Sequence, residues 1–338
     1  MALIDAAPRP IRGPIQQGIR PFDIARDLRP VAELIADAFT NELDPRGLAA
    51  LREMRIMSHL SGLLKLLSRS AGELDDVFSG FVWVEDGKIV GNVTVQRADK
   101  YGNRWQIANV AVDRNYRGRG IARKLMQQAL SHAADSDGRW AVLQVYHHNS
   151  VARHLYSQLG FEEVGGMVDL RLSRVPKVDF PKHATNFHSF SYQHWQPLYE
   201  LATNQLNAQT QWWRAMRRGD FQASFEQQIG SWMWKSLGRQ QIYRRCFQSM
   251  RRFEAALILT AERWRGTHEL QMWIRPEHYG VYEHYMMQWV MATLQDFPRW
   301  PVKVTLSSEH VAGVRAPEAF GFHQQQTLVT MRRRIGDS

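Results

Sequence analysis

Asn109-Val110-Ala111-Val112-Asp113-Arg114-Asn115-Tyr116-Arg117-Gly118-Arg119-Gly120-Ile121-Ala122-Arg123-Lys124-Leu125-Met126 reads as a short β-branched strand, a turn rich in arginine and glycine, and the start of an amphipathic helix. Apolar residues at Ile121, Ala122, Leu125, Met126, Ala129, Leu130 and Ala133 follow a 3.6-residue period, which predicts that helix. Glycine at the junction lets the backbone turn so that successive N–H groups face one concavity. The helix dipole adds partial positive charge at the same place, and Arg117, Arg119 and Arg123 surround it with full charges. Such a junction suits a pyrophosphate.

The spacing departs from both common phosphate loops. A dinucleotide fingerprint needs a third glycine where Arg123 stands, and the Walker pattern has no match. Arg117-x-x-Gly120-x-Ala122 instead resembles the Q/R-x-x-G-x-G/A signature of the GNAT superfamily of acetyl-CoA-dependent acyltransferases. A second stretch, Asn149-x-x-Ala152-x-x-Leu155-Tyr156-x-x-Leu159-Gly160-Phe161, is similar to that family's later helix. The resemblance implies an α+β fold on a mixed sheet and an acetyl-CoA site. Its residues would be Val110, Ala111 and Val112 for the pantetheine and the thioester carbonyl, and Arg117, Gly118, Arg119, Gly120, Ile121, Ala122 and Arg123 for the pyrophosphate. Asn149, Ala152 and Tyr156 would touch the coenzyme, with Tyr156 protonating the leaving sulfur.

The general base is where the pattern departs. Many family members carry a glutamate on the strand before the loop, whereas this strand offers Gln106 and Asn109, neither of them a base. His147 and His148, at the end of the next strand, are the nearest titratable candidates. A polar strand end is the plainer account of them, and a water chain or an amine already of low pKa could replace a dedicated base. His147, His148 and His154 lack a carboxylate placed to complete a metal site, so no metal is expected.

Composition sets wider bounds. The chain has 338 residues, 44% hydrophobic and 22% charged, which suits two globular domains. No run reaches the eighteen or so apolar residues of a membrane span. Residues 1–18 carry three prolines and no apolar h-region, so a loose tail is expected there. The single cysteine, Cys246, allows no intrachain disulfide or cysteine cluster and fits a cytoplasmic setting. Residues 1–176 hold 23 Lys/Arg against 20 Asp/Glu and residues 177–338 hold 20 against 13, an excess of +3 and +7. That field favours anionic partners, coenzyme A among them. Nucleic acid is the weaker reading, because the only triple basic run is Arg332-Arg333-Arg334 and the Arg-Gly-Arg-Gly turn does not repeat.

Read in order, the chain predicts a strand at Ile19–Phe22, a helix capped by Asp27, and a second helix over 48–68. A hairpin then turns at Glu85-Asp86-Gly87-Lys88, with strands at 105–112 and 140–146, a helix at 149–159 and closing strand material at 164–172. Residues 19–175 are expected as the first domain, 176–186 as a proline-containing linker, and 187–338 as a second domain holding nine of the 12 tryptophans.

The second domain echoes the first. Val302–Leu306 stands 161 residues after Ala141–Val145, and Phe320-Gly321-Phe322 stands 161 after Leu159-Gly160-Phe161. This predicts two tandem GNAT-like domains, similar to the mycothiol synthase arrangement, with the second degenerate. Pro276-Glu277-His278-Tyr279-Gly280 replaces the basic glycine loop, His310 stands at the place of Asn149, and Pro317 at the place of Tyr156. The expected function is N-acetyl transfer to a small-molecule or peptide amine. The rivals are a non-catalytic acetyl-CoA sensor and, less well supported, a charge-driven nucleic-acid binder.

Overall fold

Runs of period two become strands and runs of period 3.6 become helices in the computed structural model, which describes residues 17–39, 79–98, 103–180, 186–205, 221, 240–250, 252–264 and 266–336. Among these the first copy of the repeat comprises β1 (Gly18–Pro21), α1 (Ile24–Ala38), β2 (Gly80–Glu85), β3 (Lys88–Arg97), β4 (Arg104–Val112), α2 (Ile121–Asp135), β5 (Trp140–Tyr146), α3 (Ser150–Gln158) and β6 (Glu162–Leu172). The second comprises β7 (His188–Ser189), α4 (Trp195–Gln205), β8 (Gln240–Ser249), β9 (Arg252–Glu262), β10 (His268–Ile274), α5 (Glu283–Leu294), β11 (Val302–Ser307), α6 (Val311–Ala319) and β12 (His323–Arg334). The helix expected over 48–68 lies outside the described residues.

The two copies repeat element by element. A 3-10 turn at Arg114–Tyr116 corresponds to one at Pro276–His278, and α2 beginning at Ile121 corresponds to α5 beginning at Glu283. Likewise α3 at Ser150–Gln158 corresponds to α6 at Val311–Ala319. The offset of 161 seen in the sequence therefore holds through the backbone to within one residue.

Contacts divide the chain into two compact units, residues 1–143 with 332–338, and residues 144–331. The boundary falls inside β5 and inside β12, and the 176–186 segment lies within the second unit. In the first unit β1, β2, β3 and β4 pair antiparallel in sequence order, and β4 pairs parallel with β5. The β2–β3 turn uses Asp86 at φ 48° and Gly87 at φ 76°, the left-handed pair that a two-residue hairpin requires. Helix α1 is capped by Asp23, whose side chain accepts from the Ala25 N–H at 2.9 Å. Asp27, expected in that role, instead lies inside the first turn and is 1% exposed, held by the Arg20 guanidinium, Arg26 Nε at 3.0 Å and the Asp23 N–H at 2.8 Å. The cap moved because Asp27 is needed as the counter-charge of Arg20.

In the second unit the strand order is β12, β6, β11, β10, β9, β8, β7. Here β6 of the first copy runs antiparallel to β11 of the second, from Val302 opposite Leu172 to Ser307 opposite Met167. The same unit contains His147 N–H donating to the Thr327 carbonyl at 2.7 Å and Ser308 N–H donating to the Gly166 carbonyl at 3.0 Å. Those two bonds are equivalents under the 161-residue repeat, so each copy's fifth strand is closed by the other copy's last strand. Leu170, Leu257, Leu259, Ile274, Met286, Val290 and Phe322 fill this unit's core at 2% exposure or less. No helix among the described residues is long and apolar enough to cross a membrane.

Candidate active site

The strand-to-helix junction of the first copy lies in the first unit. Asp113 accepts from the Asn115 N–H at 2.9 Å and starts the 3-10 turn; Arg117 leaves it extended, at φ −65° and ψ 160°. Gly118 and Gly120 are left-handed at φ 77° and 75°, and a Cβ on either would meet nothing within 4 Å. Gly120 is the N-cap of α2, and no side chain caps that helix end. The first amides of α2 are therefore open to an external acceptor.

Charge surrounds this opening. The Arg117 Nε donates to the Val112 carbonyl at 3.1 Å, which anchors the arm and leaves its outer nitrogens at the exposed end. Arg119 lies over the Tyr116 ring at 4.8 Å, and Lys124 over Trp83 at 5.1 Å. The helix itself is held from beneath by Ile121, Leu125, Met126, Ala129, Leu130 and Ala133. Its closeness to the sheet depends on Gly91, where a Cβ would come within 2.9 Å of Ile121 and 3.0 Å of Leu125. Ile121 and Ala111, both 3% exposed, thus belong to the core as side chains and face a ligand only through their backbones.

Strand β4 breaks step immediately before the loop. Thr94 pairs with Ala108 and Asn92 with Ala111, so one residue of β3 faces two of β4. This bulge centres on Asn109, at φ 50°, a conformation asparagine tolerates better than most side chains. Asn92, 2% exposed, donates its side-chain amide to the Asn109 carbonyl at 3.0 Å, and Asn109 reaches Thr94 Oγ1 at 3.2 Å. The parallel ladder to β5 covers Arg104–Gln106 and Trp140–Val142, so Val110–Val112 lie beyond it. Gln106 pairs with Gln96 at 3.2 Å and supplies no base.

The other expected residues fall in the second unit. Asn149 is the N-cap of α3, its side-chain oxygen accepting from the Ala152 N–H at 3.1 Å. Tyr156 is buried, 7% exposed, 6.1 Å from Phe161, and burial pushes its hydroxyl up to about 12. Among the described residues that hydroxyl has no hydrogen-bond partner. His147 is exposed at the end of β5 and lines an open cavity of about 520 Å³ with Glu163, Ser308, Arg315, Glu318 and Gln324. His148 stacks on Tyr146 at 5.5 Å and 21°. No group of three or more His, Cys, Asp or Glu that could hold a metal ion occurs among the described residues.

Residues 47–161 match the model of the acetyltransferase (GNAT) family. That stretch, about a third of the chain, is similar to a GNAT domain. The N-acetylaspartate synthetase of Xenopus tropicalis is 35% identical over 85 residues, a match covering 25% of this chain and 31% of that protein, so the chain spans about a third of that relative's length. Among solved structures, a tandem GNAT protein from the clavulanic acid biosynthesis pathway covers 95% of this chain and 99% of its own, with TM-score 0.53 and 13% identity. A GCN5-related N-acetyltransferase from Sphaerobacter thermophilus covers 95% and 96%, with TM-score 0.56 and 15% identity. At those identities the likeness is one of fold: two GNAT-like domains in tandem.

Of the expected site residues, Val110–Val112 and Arg117–Arg123 lie in the first unit. Asn149, Ala152, Tyr156 and the two histidines fall in the second. Sequence reasoning missed Asn92. Its signal was a polar residue at an inward position of an otherwise apolar strand, Val90-Gly91-Asn92-Val93.

Proposed function

We propose that the protein is an acetyl-CoA-dependent N-acyltransferase that moves an acetyl group to a primary amine by direct attack, using one coenzyme site per chain in the GNAT domain. The observation that carries this reading is the uncapped N-terminus of α2 behind two left-handed glycines, with Arg117 and Arg119 in the loop and Arg123 in the first turn of the helix. An anion of pyrophosphate size finds there both oriented amides and charge. The backbone of Val110–Val112, beyond the ladder to β5, suits the pantetheine arm and the thioester oxygen, an electrostatic role that needs donors fixed before the reaction.

In the proposed step the neutral amine attacks the thioester carbonyl and forms the C–N bond. The C–S bond then breaks, the amine's proton leaves to solvent or a base, and the thiolate takes a proton. Tyr156 is assigned as that acid, since a hydroxyl held protonated by burial is available at neutral pH. His147 and His148 are the candidates for the base. The acceptor class is a small molecule or peptide with a primary amine, and the name of the Xenopus relative points to amino acids as the first panel to try. The absence of a carboxylate among Gln106 and Asn109 supports a second reading, a coenzyme sensor without turnover. One experiment separates the two. Calorimetric titration with acetyl-CoA should show binding, and thiol release with an amine panel should show turnover. Binding without release from any amine would favour the sensor, and no binding would end both readings.

A further inference from the structure

The second copy keeps the backbone of the loop and changes what fills it. Tyr279 leaves the Pro276–His278 turn extended, at φ −59° and ψ 130°, as Arg117 leaves the first. Gly280 is left-handed at φ 89°, as Gly118 is at 77°. The residue that then opens α5 is Glu283, where α2 has Ile121. Glu277, expected at the phosphate position, lies in the turn and is exposed.

Glu283 points inward and is 2% exposed. Both its carboxylate oxygens accept from the Gly280 N–H, each at 2.9 Å. Its Oε1 also accepts from His310 Nε2 at 2.7 Å. His310 is fully buried at the N-cap of α6, at φ −82° and ψ 70°, and reproduces the backbone of Asn149 at −81° and 70°. The Gln205 amide donates to its other ring nitrogen at 3.2 Å, which fixes the tautomer that donates to Glu283. The Tyr279 ring stacks on the imidazole at 3.9 Å and 18°. Room for the histidine comes from Gly313, at the place of Ala152, where a Cβ would lie 2.4 Å from His310 Nδ1.

An ordinary helix cap is exposed and touches only its own turn. This carboxylate is buried, is fastened from a second helix, and has a glycine cleared for its partner. We propose that the second copy is an anion site whose ligand is the chain's own Glu283 carboxylate, occupying the place a carboxylate or phosphate oxyanion would take at the equivalent loop. The site is closed from within, which explains why one copy alone would take coenzyme. This rests on reading the first-copy loop as an anion cradle. It does not depend on acetyl transfer.

The test uses full-length Glu283→Ala melted in sodium chloride, sodium acetate and sodium phosphate of equal ionic strength. Removing one partner of a buried pair should lower the melting temperature by on the order of 5 °C or more in chloride. Acetate should restore much of that loss, because it supplies the missing carboxylate, while the wild type should melt alike in acetate and chloride. A variant that melts alike in all three salts overturns the proposal. Where Glu283→Ala does not fold, Glu283→Gln, which keeps the volume, carries the test through amide hydrogen exchange. The Gly280 N–H should exchange faster than in the wild type, and unchanged protection overturns the proposal. A wild-type chain that fails to bind acetyl-CoA would sink the functional reading alone, since the salt and exchange measurements contain no coenzyme.

Discussion

Gly120 shows how much one position can report. At φ 75° with open space around its Cβ position, it tolerates a side chain at the expense of left-handed strain, about 1–2 kcal/mol. Gly120→Glu is therefore expected to fold and to lose acetyl-CoA binding in calorimetry, because it puts bulk and negative charge at the basic opening. Unchanged affinity would remove the loop from the site. Tyr156 sets a different test. With its hydroxyl pushed up to about 12 by burial, it stays protonated across the working range and loses its proton only as pH approaches that value. Tyr156→Phe should lower kcat by about 10²–10⁴-fold with little change in the KM for acetyl-CoA. A kcat near wild type would leave Tyr156 as packing against Phe161. Asp27 governs stability instead. Burial alone would raise its carboxyl, but bonds from Arg20, the Asp23 amide and Arg26 hold it below the ordinary value of 3.8. Its stabilising contribution is thus present above 3.8 and lost as pH falls below it. Asp27→Asn should cost roughly 3–5 kcal/mol in urea unfolding at neutral pH, and that difference should shrink in acid.

At the scale of elements, the bulge in β4 and the seat of α2 matter most. The extra residue at Asn109 leaves a carbonyl without a ladder partner, and the buried Asn92 amide takes it. Asn92→Ala should destabilise by about 1–3 kcal/mol, the usual cost of an unsatisfied buried group. It should also raise the KM for acetyl-CoA, since the amides of Val110–Val112 lose their fixed direction. A variant with normal KM would show that the bulge holds without that bond. Helix α2 depends on Gly91 in turn. A methyl there overlaps Ile121 and Leu125, so Gly91→Ala should cost about 1–3 kcal/mol by denaturant titration.

For the molecule as a whole, strand exchange between the copies decides what can be cut. Strand β6 of the first copy finds a neighbour in β11 of the second, and His147 at the end of β5 bonds to Thr327 of β12. Truncation to residues 19–176 removes β11 and β12, so β5 loses one neighbour and β6 loses both. The fragment is expected to aggregate or to form dimers that restore the missing pairing, as size-exclusion chromatography would show. A soluble, monomeric, folded fragment would mean that the exchange is not needed for stability.

Local chemistry is what the sequence alone determined. The glycine pair, the period of α2, the Asp-Gly hairpin turn and the 161-residue echo are all near-neighbour patterns, and each appears in the structure. The cap of α1 was misread because Asp23 and Asp27 look alike until Arg20, brought close by folding, selects the second as its counter-ion. Asn92 and the Glu283–His310 pair were illegible for the same reason: a polar residue in an apolar strand or at a helix start acquires meaning only from the partner folding brings to it. The exchange of closing strands lay further out of reach. Strand β6 alternates at Val168, Leu170 and Leu172, whereas β12 buries Val329, Thr330 and Met331 in a row, and neither pattern names the strand it will pair with. Which edge each one joins is settled by the connections and packing of the whole chain.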